Sequence, residues 1–536
     1  MTTTNFIVDA ISAALSSVGI AVSREEILLE RPSREEYGDL STNVALVVAK
    51  RADASPRQLA DDLAARLRAA GIDHVESVVV AGPGFVNFHL RPSYYHEALE
   101  SIVAAGEANY ARPDLGHGER VQIEFVSANP TGPLHVGNGW FGAYGDALAR
   151  LLDRCGFQVE REYYLNDTGN QIKLLGESLL ARRAGDAPPE EGYQGEYLVE
   201  LAAAYDGPDE PMAAGKFASD RIVENIKSTL TRLGICFDCW YSQASIEESG
   251  LVDGTIALLR ARDAVYDADG ATWFRSSAFG DSRDRVLIRS DGQPTYLAGD
   301  LAYHRDKFVT RGFGRVIDVW GADHHGQVAS LRAGIAALGV DPERLEVILG
   351  QVISLVSGKM SKRAGNFVRL DELIDTVGPD AVRLLTLMNS INQSTTIDLD
   401  AVQRRSMENP VYYVQYAYAR IESIGRVAKE KGVEAPTVDS AQLSLLVHPR
   451  EIELVRRLIE LPSVVEEAAK ERAPYKVTNW VRHLASDFHA FYHDVRVLGD
   501  EISDELSGAR LVLVGGVRSG LLIGLGILGV SAPESM

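Results

Sequence analysis

The stretch from Val121 to Leu152 dictates a buried strand, a Gly-containing turn and a helix in immediate succession. Val121-Gln-Ile-Glu124-Phe-Val126 is a short, mostly apolar run, the pattern of a strand covered on both faces. Ala143 to Leu152 carries its apolar residues at helical spacing. Between them lies Ser127-Ala-Asn129-Pro-Thr-Gly-Pro-Leu-His135-Val-Gly137-Asn138-Gly-Trp. The first N–H groups of a helix have no partner within it, and its dipole favours negative charge there, so this turn can receive an anion. His135 can donate a hydrogen bond to a phosphate oxygen, and Gly137 allows close approach. Far downstream, Lys359-Met360-Ser361-Lys362 sits between Gly358 and Gly365. Two lysines three apart can embrace a polyphosphate as it gains charge. Each motif alone is weak, because a loop histidine or a solvated basic loop is common; their joint occurrence and order carry the inference.

The organisation around these motifs is modular. A chain of 536 residues is too long for one core and predicts two to four domains. Helical periodicity at Phe6–Val18 and Leu59–Leu67, with strands at Glu76–Val80 and Phe85–Leu90 about the turn Gly82-Pro83-Gly84, predicts an N-terminal α+β domain over 1–112. Strand candidates at Val121–Val126, Val159–Tyr164, Val316–Trp320 and Val347–Ile353 alternate with helices. That alternation predicts an α/β, Rossmann-type parallel-sheet domain over 113–397 with a helical insertion at about 174–250. From 398 to 536 the strand signals stop, and an all-helical bundle is expected. The apolar tail Leu511–Val530 is interrupted by Arg518 and reads as core helix rather than membrane span. The N-terminus does not read as a signal peptide. Three cysteines give no disulfide framework and fit a cytoplasmic chain; Cys236-Phe-Asp-Cys239 lacks the second ligand pair of a zinc site. A net charge of −21 excludes a generic nucleic-acid coat but not a local basic surface.

The chain resembles the arginyl-tRNA synthetases among class I aminoacyl-tRNA synthetases. Glu124 to Gly137 looks like that family's version of the first signature motif, and Lys359 to Lys362 like the second. Arg161-Glu-Tyr-Tyr-Leu-Asn166-Asp167, Gly321-Ala-Asp-His-His-Gly-Gln327, Asn409-Pro-Val-Tyr-Tyr-Val-Gln415-Tyr-Ala-Tyr-Ala-Arg420 and Leu528-Gly-Val-Ser-Ala-Pro533 are similar to further family segments. Gly38-Asp-Leu-Ser-Thr-Asn43 and Gly82-Pro-Gly-Phe-Val-Asn87 resemble its additional N-terminal domain. The resemblance implies ATP-dependent ligation of L-arginine to tRNA(Arg) through an arginyl-adenylate, with Mg²⁺ accompanying ATP and no structural metal. It assigns His135, Gly137, Lys359 and Lys362 to catalysis, and Asn138, His324, Met360 and Ser361 with them to ATP. It assigns Glu124, Tyr296 and Asp300 to the guanidinium, and Ser127, Asn129, Asn138 and Gln327 to arginine as well. A guanidinium needs such acids, because carboxylates match its donors bidentately.

Tyr412, Tyr416 and Arg420 are expected to bind tRNA, since aromatic faces beside arginines suit unstacked bases, while at least two of the four tyrosines from 412 to 418 are expected in the core. Lys470, Arg472, Lys476 and Arg482 form a second candidate basic stripe. His324-His325 are adjacent and point apart, so they are read as no metal site. The expected enzyme is a monomer without membrane contact. One position departs from the family: the motif's second histidine is Asn138 here, a neutral donor. That departure leaves open a specialised or inhibitor-resistant paralogue, and a non-catalytic tRNA-binding relative is the alternative of a different class. Another nucleotidyl transferase of this fold would be shorter and would lack the helical third.

Overall fold

The computed structural model describes residues 5–32, 34–351, 353–355, 369–397 and 408–536. Its first unit begins with α1 (Asn5–Ser16), where Ile7, Ile11 and Leu15 recur every four residues and are buried. β1 (Leu40–Thr42), α2 (Val44–Val48), α3 (Pro56–Ala70), β2 (Val75–Ala81) and β3 (Phe85–Leu90) follow. The three strands form an antiparallel sheet ordered β1-β3-β2. The β2–β3 turn needs Gly84, whose φ is +148° and whose missing Cβ would lie 2.9 Å from the Pro56 carbonyl oxygen. α4 (Pro92–Asn109) then leads away from this sheet.

The second unit opens with β4 (Arg120–Glu124), α5 (Val136–Arg154) and β5 (Gln158–Leu165). Three helices follow: α6 (Asn170–Ala184), α7 (Tyr197–Ala204) and α8 (Pro211–Arg232). Gly176 and Gly215 bring α6 and α8 backbone to backbone: a Cβ at either would sit under 2 Å from a carbonyl oxygen of the other helix, Pro211 or Ile172. β6 (Cys239–Ser242) returns to the sheet inside the span expected to be a purely helical insertion. α9 (Gln243–Glu248) and α10 (Leu251–Ala261) precede an unanticipated antiparallel sheet of β7 (Val265–Ala268), β8 (Ala271–Phe274) and β9 (Arg285–Ile288). α11 (Tyr296–Arg305) runs straight into a π-helical turn, Asp306–Thr310. β10 (Arg315–Gly321), α12 (Val328–Ala337) and β11 (Leu345–Gly350) complete the main sheet.

That sheet is parallel throughout and ordered β11-β10-β4-β5-β6. β4, the first strand made, lies at the centre. The chain winds one way through β5 and β6 and the other way through β10 and β11. A topological switch point therefore falls between β4 and β10, where ligands bind in such sheets. β12 (Ile353–Leu355), α13 (Leu370–Val377), α14 (Pro379–Thr386) and β13 (Thr395–Ile397) close the unit, with β12 and β13 paired in parallel.

The last third is helical: α15 (Pro410–Glu430), α16 (Pro449–Lys470), α17 (Tyr475–Asp494) and α18 (Asp504–Leu528). α18 is long and apolar enough to cross a membrane, with a mean hydropathy of 2.1, but 72% of that stretch is buried in the bundle. Its interrupting Arg518 pairs with Glu422 and Glu107. The units are riveted by buried or half-buried arginines. Arg383, 1% exposed, donates to Asp146 at 2.5 Å and to the carbonyls of Leu233 and Leu528. Arg456 of α16 reaches Asp39 and Tyr95 of the first unit. Arg472, held at φ +55°, grips Glu346 of β11 with two nitrogens at 2.8 Å. Lys470 is ion-paired with Glu466 of its own helix, and Lys476 with Glu467 and Glu471 at the end of the preceding helix, so three of the four cations in the candidate basic stripe are engaged within the protein.

Candidate active site

The site is assembled at the carboxyl ends of β4 and β10. Immediately after β4 the backbone turns sharply, with Val126 at φ +70° and Ser127 at φ +38°. A β-branched residue there costs about 1–3 kcal/mol and persists only when its surroundings dictate it. The Ser127 hydroxyl supplies that restraint: it donates to Glu124 Oε1 at 2.9 Å and accepts the Tyr164 N–H at 3.1 Å. The loop beyond is pinned where Tyr163 donates to the Ala128 carbonyl and Tyr197 to that of Thr131, while the Asn129 amide donates to Gln171.

His135 caps α5 with extended backbone, and its N–H donates to Asn138 Oδ1 at 3.0 Å. Asn138 thus closes the helix start with its carbonyl oxygen, a role a protonated histidine could not fill. A Cβ on Gly137 would lie 2.9 Å from the His135 ring, so the glycine two residues on leaves room for the imidazole to fold over the helix end. Burial holds the His135 ring below the usual histidine range, so it is neutral at pH 7. Arg369 pairs with His135 as an antiparallel bridge, and the Leu370 N–H donates to the Leu134 carbonyl at 2.8 Å. The described chain therefore leaves at Leu355 and returns alongside His135. Lys359, Met360, Ser361 and Lys362 lie outside the described residues.

A cavity of about 1990 Å³ opens here. Ser127, Asn129, His135 and Asn138 line it from the β4–α5 side. Tyr296 and Asp300 of α11, with His324 and Gln327 beyond β10, line the other wall. Tyr296 is 77% exposed, and the His324 ring accompanies Gln327 at 3.3 Å. His325 does not line the cavity. Burial pushes the Asp300 carboxyl up to about 6; Glu124 and Asp318 add to the rise, and His304 and Lys307 oppose it.

Glu124 is not on the cavity wall. It is one of three acids in a row: Asp318 of β10, Glu124 of β4 and Glu162 of β5 are register partners on adjacent strands and so share one face of the sheet. All three are buried. His304, Lys307 and Arg311, from α11 and the turn after it, cover them. Lys307, with no exposed surface, reaches Glu124 at 2.7 Å and Asp318 at 3.0 Å. His304 Nε2 meets Asp318 at 2.8 Å, and its Nδ1 donates to the Asp300 carbonyl oxygen at 2.8 Å. Arg311 and the Tyr303 hydroxyl both donate to Glu162, and Arg311 also reaches Glu160. Burial opposes the Lys307 charge, but Asp318, Glu124 and Glu162 outweigh it, so the ammonium titrates well above an ordinary lysine. Among the described residues, Glu160, Glu162 and Cys239 cluster closely enough for a metal, but Arg311 occupies the two carboxylates.

Of this layer the sequence reading named only Glu124. Asp318 interrupts the apolar run Val316–Trp320 just as Glu124 interrupts its own, and His304 and Lys307 follow Asp300 by four and seven residues, one helical face. Those spacings were available to be read.

In the bundle, the Tyr412 and Tyr416 rings stack at 5.5 Å, and the Arg420 guanidinium lies 4.5 Å from the centres of both Tyr416 and Tyr492. Tyr418 is 3% exposed and belongs to the core, and Tyr413 packs edge-on against His489.

A five-stranded parallel sheet with a His-x-Gly turn at its switch point, followed by a helical bundle, defines a class I aminoacyl-tRNA synthetase. Residues 99–205 and 214–423 match the family model described as tRNA synthetases class I (R), catalytic domain. Residues 5–90 match the arginyl tRNA synthetase N terminal domain, and 414–536 the DALR anticodon binding domain. The chain belongs to the arginyl-tRNA synthetase family. It is 44% identical over 528 residues to the arginine–tRNA ligase of Carboxydothermus hydrogenoformans, covering 95% of this chain and 94% of that one. It is 45% identical to that of Frankia alni, covering 98% and 99%. The Thermus thermophilus arginyl-tRNA synthetase structure shares the fold, with a TM-score of 0.77 over 99% of both chains at 23% identity.

Proposed function

We infer that this chain ligates L-arginine to tRNA(Arg) in two steps, with MgATP as co-substrate. An arginine carboxylate oxygen attacks the α-phosphorus of ATP and pyrophosphate leaves. The 2′-hydroxyl of the terminal adenosine then attacks the adenylate carbonyl and AMP leaves. The observation that carries the reading is the single cavity that joins His135 to Asp300 and Gln327 across the switch point. Its volume is about twice that of an ordinary small-ligand pocket, room for nucleotide and amino acid together.

The protein's own part is positioning and electrostatics. Neutral His135, freed by Gly137, donates to the α-phosphate as charge develops there. Lys359 and Lys362 close on the β- and γ-phosphates, with Met360 and Ser361 on the nucleotide. Asn138 turns its remaining amide N–H groups to the ribose or the arginine, and His324 flanks the adenosine. Ser127, Asn129 and Gln327 hold the α-amino and carboxylate end. Asp300 and Tyr296 meet the guanidinium, with Glu124 behind them. Tyr412, Tyr416 and Arg420 offer stacking faces to the anticodon loop. Residues 1–112 serve as an additional tRNA-contacting domain, 113–397 as the catalytic domain and 398–536 as the anticodon-binding domain of a monomeric cytoplasmic enzyme. The catalytic side chains are present in the sequence, which disfavours a non-catalytic relative.

The test is aminoacylation of total tRNA with each amino acid separately, alongside ATP–pyrophosphate exchange with and without tRNA. Charging with arginine alone is expected. ATP binding without charging, or charging with another amino acid, overturns the reading.

A further inference from the structure

Three acids aligned on neighbouring strands repel one another, and buried carboxylates persist only when paired. The row Asp318, Glu124, Glu162 is covered by Lys307, Arg311 and the His304 ring. Glu162 is held by Arg311. Asp318 and Glu124 are both held by Lys307, and Asp318 also by His304. The His304 ring lies between the Asp300 carbonyl oxygen and the Asp318 carboxylate, 2.8 Å from each. Lys307 and Arg311 thus offset the charge of the row. Asp300 stands outside it: among the described residues no ion pair reaches its carboxylate, and it faces the cavity.

We propose that Lys307 is a specificity-determining positioning residue. By holding Glu124 and Asp318 beneath the cavity it offsets their charge where it bears on Asp300, so that the Asp300 carboxylate can ionise and meet a cationic side chain. The inference rests on the arginine-ligase reading above. Lys307 can take this place because the π-helical turn Asp306–Thr310 inserts it beneath the helix that carries Asp300. A wider turn at this point sends the ammonium to β4 and β10 together, 183 and 11 residues away in sequence. Without it, Glu124 and Asp318 would raise the charge of the cavity floor and keep Asp300 protonated.

The test is the pH dependence of arginine binding to the full chain by calorimetry. The charged groups facing Asp300 are His304 on its own helix, Lys307 on the following turn, Glu124 on β4 and Asp318 on β10, with the Tyr164 hydroxyl on β5. Wild-type affinity is expected to fall on the acid side of about pH 6. Removing the cation with Lys307→Met should move that limb up by about one pH unit, the effect of one neighbouring charge. Removing its partner with Glu124→Gln should move it down. The pair Lys307→Met/Glu124→Gln should return it near the wild-type position, with the KM for ATP within about twofold throughout, a change of under 0.5 kcal/mol. A purely structural role would move both single variants the same way or move neither, and either result overturns the proposal. If Lys307→Met does not fold, the direction given by Glu124→Gln decides. Wild-type protein that fails to charge tRNA with arginine sinks the functional reading itself; wild-type that charges, with variants behaving alike, sinks this inference alone.

Discussion

Asp300 and His135 stand on opposite walls of the cavity, each tuned by burial. The Asp300 carboxyl, lifted to about 6, must ionise to meet a guanidinium. Because its value is raised, the binding-competent form is lost as pH falls through it. Arginine kcat/KM should therefore drop about tenfold per pH unit below that value while ATP parameters stay level, a profile that steady-state exchange assays can check. Asp300→Asn should raise the arginine KM by 10²-fold or more and abolish the acid limb, since losing a charged partner costs about 3 kcal/mol. His135→Ala should instead lower kcat for exchange by about 10²–10³-fold and leave the arginine KM within a few-fold, the signature of a donor used in the transition state. Its neutral ring means that this step should be flat between pH 7 and 8.5.

Among the elements, the strand–turn–helix of β4 and α5 was legible from sequence because every signal in it is local. Its apolar run, its glycine spacing and its helical periodicity lie within one short stretch. The antiparallel sheet β7–β9 was not legible: each strand has only four residues, and Asp267 and Arg285 put charges within them. Lys307 was hidden for a different reason. Its partner Glu124 is 183 residues away, and the π-helical turn departs from the 3.6-residue period on which helix faces are read. The segment Lys359–Lys362, so prominent in sequence, falls outside the described residues. The α6–α8 contact carries its own prediction. Gly215→Ala places a methyl 1.9 Å from the Ile172 carbonyl oxygen, so the helices must separate. A loss of about 1–3 kcal/mol is expected, read as a lower unfolding midpoint, with arginine KM rising because Gly192 to Tyr197 on the cavity wall lie between those helices.

For the whole molecule, one apolar core runs through all three units, and a few arginines placed on carbonyls and carboxylates tie them further. Arg383 ties β4's following helix, the end of α8 and the end of α18 together. Removing it takes the most buried partner from Asp146, leaving Arg150 and Arg161, and takes a donor from the carbonyls of Leu233 and Leu528. Arg383→Met should cost about 3–5 kcal/mol and lower the thermal midpoint, measured by calorimetry, far more than loss of the half-exposed Arg31–Glu453 pair, which should cost under about 1 kcal/mol.

The same rivet has a meaning in time. Arg383 and the carbonyl of Leu528 are 145 residues apart. At a synthesis rate of about 5–20 residues per second, the guanidinium is made roughly 7–30 s before its acceptor exists. During that interval an arginine destined for the interior waits without its full set of partners, and the apolar helix meant to cover it is still to be translated. The catalytic sheet is thus locked in part by a helix translated well after its own strands, which makes synthesis of α18 a condition of its rigidity.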